Sequence, residues 1–373
     1  MVSSLLFVAM AVAGETDIRH PRAPDQPLPI KFTPWFCTAC VKAKMIEAPA
    51  KELQLMSMPA ERLLEKIGVK RGWTIVESPN FLLLSTLKGV RVRAGDSRFV
   101  GGDLNRLKEI FPDYTGGSKG GYVTSHQRAH LYHIRLERIH AHFAALTGNK
   151  EKFLGMGGRY QVYLFDAEEP YRALAEKVIG RAHNKRNYLV RTHVPGEHNY
   201  YVMGTTTKLF KSDRALNSIV AHQTGHMLAN GHRDFVRVVW GFLEAGAAHY
   251  YERLESVQHN YFCLMGVDFP AEFVRGNWRK KIRHLVYRKK DPSLGGWCET
   301  LQPHQMSGVE HALAWSIFEW LVTTDPVRLG KLMDKTKDTD KKPTAEQSIE
   351  DVFGVSPYVL HDRWRRYVLK NYK

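Results

Sequence analysis

Apolar positions along this chain follow two spacings, and the change from one to the other divides the sequence. Tyr132, Leu136, Ile139, Phe143 and Leu146 advance by four, three, four and three residues, which is the stripe of one helix face. On either side of that helix the pattern is of strands. Trp73 to Ser78 and Phe81 to Ser85 read as a pair turning at Pro79-Asn80. Arg159 to Phe165 sets Tyr160, Val162 and Leu164 against Gln161, Tyr163 and Phe165, a strand buried on both faces. Glu168 to Ile179 follows as a helix with Pro170 in its first turn, and His198 to Met203 is a further strand. A short amphipathic helix is expected near Ala60 to Ile67, and the Gly-rich stretches 115–121 and 155–158 read as loops. Beyond residue 206 the pattern is helical. Ser212 or Asp213 can cap a run through Leu216, Ile219, Val220 and Met227 that Gly231 ends. Further helices are expected over 240–252 and 308–323, and another near Trp364, Tyr367 and Val368. The class this predicts is α+β, a small mixed sheet followed by a mostly helical C-terminal half.

The first helix of that half contains His222-Gln223-Thr224-Gly225-His226, with two imidazoles at i and i+4. Side chains so spaced share a helix face, about 5–6 Å apart at Cβ, and can hold one tetrahedral Zn²⁺ between them. The HExxH signature of zinc peptidases has this spacing, and its glutamate is the general base that takes a proton from water. Glutamine stands at that place here. Its amide can hydrogen-bond water but has no useful basicity near neutral pH. Two histidines among 18 also suit an ordinary amphipathic helix, so the next helix matters. It carries Glu244 eighteen residues after His226, within the run Trp240 to Glu252.

This pair of helices resembles the gluzincin, or peptidase MA-like, clan, whose second helix bears a W-L-x-E-G-x-A-x-Y pattern. The closing Phe353-Gly354-Val355-Ser356 run with Trp364 and Tyr367 is similar to the end of bacterial domains of that clan, so the resemblance covers residues 73 to 370. It implies a zincin-like fold and Zn²⁺ held by His222, His226 and Glu244. It places Gln223 at the degenerate catalytic position. It further implies an edge strand that takes peptide by strand addition, here that of Tyr200, Tyr201 and Val202. A Tyr or His of the helical half is expected to stabilise an oxyanion, with His304, His311 and Tyr250 as candidates. The chain departs from the clan at Ala245, where glycine is usual and where Gly246 stands one place later. Trp240 is also one residue further from the glutamate than usual.

Leu5 to Ala13 is an apolar core ending in an A-x-A pattern, so residues 1–13 are expected to be a signal peptide, although no Lys or Arg precedes the core. No later stretch suits a transmembrane segment in the mature chain. Residues 14–70 are a Pro-rich N-terminal segment, 71–205 the sheet-containing part and 206–373 the zinc-helix pair with the helical remainder. In an exported chain four cysteines suggest disulfides, Cys37–Cys40 and Cys263–Cys298. Val41 after Cys37-Thr38-Ala39-Cys40 excludes haem attachment. His126, His130, His133, Glu137 and His140 form a second stripe on the long helix, either a boundary face of partly exposed imidazoles or a metal- or pH-sensing cluster. Net charge is +16, from 54 basic against 38 acidic residues, which favours an acidic polymer or anionic surface as partner. The run Arg275 to Lys290 holds eight of the basic residues.

The expected function is therefore an exported, zinc-binding pseudopeptidase or very weak metallopeptidase that takes a peptide or protein ligand in its groove. One alternative is an active zinc metallohydrolase using another carboxylate, Glu310 or Asp234. The other is a polyanion-binding structural protein with a vestigial metal site.

Overall fold

Strand β8 (Tyr160–Phe165), buried at every position, explains the architecture: a strand apolar on both faces needs a layer on each side. The computed structural model describes residues 36–43, 54–55, 58–148, 159–179, 189–193, 200–205, 212–232, 239–261, 277–300, 302–337 and 343–373. Six strands form a mixed sheet in the order β1-β4-β5-β8-β10-β9. They are β1 (Phe36–Cys37), β4 (Thr74–Glu77), β5 (Phe81–Ser85), β8, β9 (Leu189–His193) and β10 (Tyr200–Thr205). The β5–β8 and β8–β10 pairings are parallel and the others antiparallel. Two hairpins, β2 (Gln54–Leu55) with β3 (Met58–Pro59) and β6 (Val90–Arg93) with β7 (Gly120–Val123), lie outside it. The second was not legible as strands, since its return arm begins inside a Gly-rich stretch.

Ile75, Leu82, Leu84, Tyr163 and Phe165 face a layer made by α2 (Ala60–Lys66) and α5 (Glu168–Ile179). Val76, Phe81, Leu83, Val162 and Leu164 face the opposite way, onto α4 (Ser125–Thr147) and α6 (Asp213–Gly231). The predicted stripe of α4, Tyr132 to Leu146, is part of this core, while Leu131 and Ile134 on its outer side pack on α3 (Val100–Ile110) and the β6–β7 hairpin. Thr124 caps α4 in a capping box with Gln127, and Gly148 ends it in a left-handed conformation. The same core continues through α7 (Gly241–Glu255) and the Trp278–Tyr287, Gly308–Thr324 and Pro357–Asn371 helices to Tyr372. No helix among the described residues is long and apolar enough to cross a membrane.

Buried ions tie the layers together. Asp213, at the start of α6, accepts from Arg135 at 2.8 Å and Tyr132 Oη at 3.1 Å and pairs with Arg128 at 3.2 Å, all three on α4. Glu255, at the end of α7, accepts from Arg138 at 2.8 Å, Asn217 at 2.7 Å and Ser97 at 2.7 Å. These contacts join the start of α6 and the end of α7 to α4.

Several expectations need correction. β10 is not an edge strand, because β9 pairs along its outer side, so its backbone is already hydrogen-bonded on both edges. Cys37 and Cys40 are free thiols facing α4 rather than bridged to each other, and Cys298 is likewise a buried free thiol. Its expected partner Cys263 lies outside the described residues, as do the signal peptide, Asp234 and the 155–158 stretch. Most of the α4 histidine stripe is buried rather than partly exposed: His130, His133, Glu137 and His140 lie in the interior, and only His126, at the start of the helix, is partly exposed. The reason is that α4 has layers on both sides, so its polar stripe faces protein.

Candidate metal centre

The histidine pair sits where two helices come unusually close. Ser212 accepts from the Ala215 N–H at 3.1 Å and starts α6, whose middle turns bring Gly225 against α7. A Cβ at Gly225 would lie 2.7 Å from Ala248 Cα, and one at Gly246 would lie 2.9 Å from both Ala314 O and Phe318 Cβ. Glycine at these two crossings lets α7 press on α6 by one face and on the Gly308–Thr324 helix by the other. The polar side chains beside the crossings, His222 and His226 on α6, Glu244, His249 and Glu252 on α7, and His311 on the third helix, consequently meet in one interior line.

That line is continuous. Glu244 Oε1 is 2.8 Å from His226 Nδ1, and His226 Nε2 is 3.1 Å from His222 Nε2. His222 Nδ1 is 3.4 Å from Glu252 Oε2, which is 2.7 Å from His249 Nδ1. His249 Nε2 is 3.1 Å from His311 Nδ1, and His311 Nε2 is 3.0 Å from the Pro303 carbonyl oxygen. His222, His226, His249, Glu252 and His311 are each 0% exposed and Glu244 2%, so the centre is closed from solvent.

The hydrogen assignment follows from the ends of the line. A carbonyl oxygen only accepts, so His311 donates from Nε2 and presents its Nδ1 lone pair to His249. His249 then donates from Nε2 and presents its own Nδ1 lone pair to Glu252. At the other end Glu244 accepts from His226 Nδ1, which turns the Nε2 lone pair of His226 towards His222. If His222 donates there, its Nδ1 lone pair also faces Glu252. One carboxyl thus stands between two imidazole lone pairs, a place for a proton or a cation, and His222, His249 and Glu252 can hold a metal ion. Burial pushes the Glu252 carboxyl well above its ordinary value of 4.5, against the Tyr261 N–H that it accepts and the nearby Arg253 charge. Burial, followed by His222 and His311, holds His249 well below 6.5. His311 is pulled down to about 4 by burial, with its bond to Pro303 acting against that. His249 and His311 are so held in the neutral form at physiological pH, the form that binds metal.

The structure therefore brings together His222, His226 and Glu244, with Glu244 on the Nδ1 side of His226 and the two histidines facing through Nε2. Gln223 is buried beside them on α6. Of the three oxyanion candidates, His311 belongs to the line. Tyr250 is buried on α7, stacked on His142 at 5.8 Å, and His304 is exposed in a short 3₁₀ turn. Glu310 is held in the cap of its own helix, where it accepts from the Ser307 N–H at 2.6 Å. Sequence reasoning missed His249 and Glu252 as members of the centre. Their signal was their spacing: Glu244 and Glu252 lie two turns apart on one face of α7, with His249 one turn before Glu252. No protein-family profile, curated protein or solved structure matches the chain.

Proposed function

We propose that the α6–α7 pair is a gluzincin-like metal centre that holds zinc without efficient hydrolysis, in an exported pseudopeptidase. The observation that carries this reading is the Nε2–Nε2 approach of His222 and His226 at 3.1 Å: a cation there would take both Nε2 lone pairs in place of the hydrogen bond, the His222 proton then sitting on Nδ1 towards Glu252, with Glu244 behind His226. Two imidazoles on one tetrahedral zinc, with Zn–N of 2.0–2.1 Å, have their nitrogens about 3.3 Å apart, so the pair fits the ion. When bound, zinc supplies Lewis acidity. The chain's own residues hold it and orient one another: Glu244 fixes the His226 tautomer, as carboxylates behind metal-binding histidines do, and the His249–His311 relay fixes Glu252. Gln223 offers an amide where a base would stand, and full burial keeps bulk water and large substrates from the ligands. Both features support binding over turnover. An acidic polymer or anionic surface would then engage the outside, where Lys280, Arg283, Arg288, Lys289 and Lys290 are exposed.

A second reading, slow hydrolysis with a different base, is favoured by Glu252, a buried carboxyl in contact with His222. Metal analysis of purified wild type beside His226→Ala, Glu244→Gln and Glu252→Gln tests the proposal. His226→Ala should lose about one equivalent of zinc, while Glu244→Gln and Glu252→Gln, which alter the carboxylates behind the two rings, should weaken zinc binding without abolishing it. Equal zinc in wild type and His226→Ala would end the reading.

A further inference from the structure

The CxxC and the start of α4 meet in a second cluster, apart from the α6–α7 line. Cys37 ends β1 and caps α1 (Thr38–Lys42), and Cys40 lies within that helix. Cys37 is in register with Val76 of β4, and Thr38 Oγ1 accepts from the Ile75 N–H at 2.9 Å, so the sheet edge holds both thiols towards α4. Cys37 Sγ is 3.3 Å from His126 Nε2, and Cys40 Sγ is 3.2 Å from the same atom and 3.5 Å from His130 Nε2. All four donor atoms lie within 4.8 Å of one another. A single ring nitrogen has one proton or one lone pair, so two sulfurs converging on it can share only one bifurcated hydrogen bond, whereas a cation among them would satisfy all the donors at once.

We propose that Cys37, Cys40, His126 and His130 form a closed structural zinc site that pins the N-terminal strand and helix to α4. Two sulfurs and two imidazole nitrogens are the donor set of tetrahedral structural zinc, and the Zn–S and Zn–N lengths put neighbouring S and N ligands about 3.5 Å apart. The observed separations come close to this. Two thiolates, two neutral imidazoles and Zn²⁺ sum to zero charge, which suits a place where Cys37 and His130 are 0% exposed, Cys40 3% and His126 half-buried. On binding, the thiols release their protons to solvent and no electron is transferred. Phe111 stands edge-on to both rings, with its centroid 4.9 Å from each, and holds their planes. Four protein ligands leave no open position, so the site is architectural. It ties residues around 40 to residues around 130, segments that the chain alone leaves far apart.

The test uses the full chain expressed in cobalt-containing medium, because only a cobalt ion bound by sulfur gives a near-ultraviolet sulfur-to-metal charge-transfer band. The wild-type protein should show that band with tetrahedral visible bands. Cys40→Ser and His126→Ala should lose it together with about one equivalent of metal. His126→Cys, which keeps four ligands, should retain the metal and strengthen the band, so misfolding of the serine variant does not decide the matter. His222→Ala should leave the band unchanged, whatever it does to total metal. A wild-type cobalt protein without the band, or a Cys37–Cys40 disulfide in the intact folded protein, overturns the proposal.

Discussion

At the scale of single residues, the chemistry of the α6 centre turns on Gln223. Glutamine and glutamate have nearly the same shape, so Gln223→Glu places a carboxylate beside the histidine pair with little change in packing. If the missing base is all that separates the centre from a peptidase, the variant should gain chelator-sensitive peptide hydrolysis of about 10²-fold or more over wild type. A zinc-replete variant inert across a broad peptide library would locate the loss elsewhere, in the closure of the site. Fast turnover by wild type would refute the pseudopeptidase reading itself. Buried histidines also make acid the weak side of this protein. Burial pulls His140 and His142 down from 6.5 to about 4. Between those values they are neutral in the fold and protonated when unfolded, so their contribution is complete above pH 6.5 and lost as pH falls towards 4. Each should cost about 2 kcal/mol at pH 5 relative to pH 7. Urea unfolding at the two pH values measures the difference, and equal stabilities would contradict the buried, neutral assignment.

At the scale of elements, the spacing of α6 and α7 is set by an absent side chain. Gly225→Ala puts a methyl group 2.7 Å from Ala248 Cα and 2.9 Å from Ala247 O, backbone that cannot rotate away. Overpacking of this kind costs about 1–3 kcal/mol, and here it also separates His222 from His249 and Glu252. Gly102→Ala, on α3 where a Cβ meets nothing within 4 Å, is the contrast and should stabilise by up to about 1 kcal/mol. Thermal melts of the pair test the argument: equal midpoints would mean that α6 and α7 can part without loss. The polar α4 stripe follows the same logic. Ser78 and Asn80 hydrogen-bond Glu137 across to the β4–β5 turn, with Asn80 Nδ2 2.7 Å from Glu137 Oε2, so a stripe that resembles a solvated face is a layer contact.

At the scale of the whole molecule, the ion network decides how the layers assemble. Asp213 and Arg135 are both about 2% exposed, and Arg128 is 5% exposed. The two guanidinium groups, with Tyr132, hold Asp213 below its ordinary carboxylate value despite burial. Removing one member of such a set leaves a buried charge uncompensated. Asp213→Ala should therefore destabilise by about 3–5 kcal/mol, read as a loss in chemical-denaturation free energy. A change below that of an exposed ion pair would show that the arginines find other partners or water.

Local periodicity determined much of this protein without tertiary help. The α4 stripe, the β4–β5 pair around Pro79-Asn80, the doubly buried β8 and the Ser212 cap of α6 all follow from spacing within a few residues, and so does the placing of His222 and His226 on one face. The α+β class followed from the order of those elements. What only packing decided is how distant segments meet. The N-terminal CxxC read as a disulfide and His126 and His130 as members of a helix stripe, because nothing local joins positions nearly ninety residues apart, and β1 and α4 had to be docked before the thiols could face imidazole rather than each other. Likewise Glu252 and His249 became part of the α6 centre only because glycines let two helices approach, and β10 became an interior strand only because β9 found its open edge. Helix and strand periods are properties of neighbouring residues. Convergence of donors, burial of charge and the pairing of sheet edges belong to the packed whole.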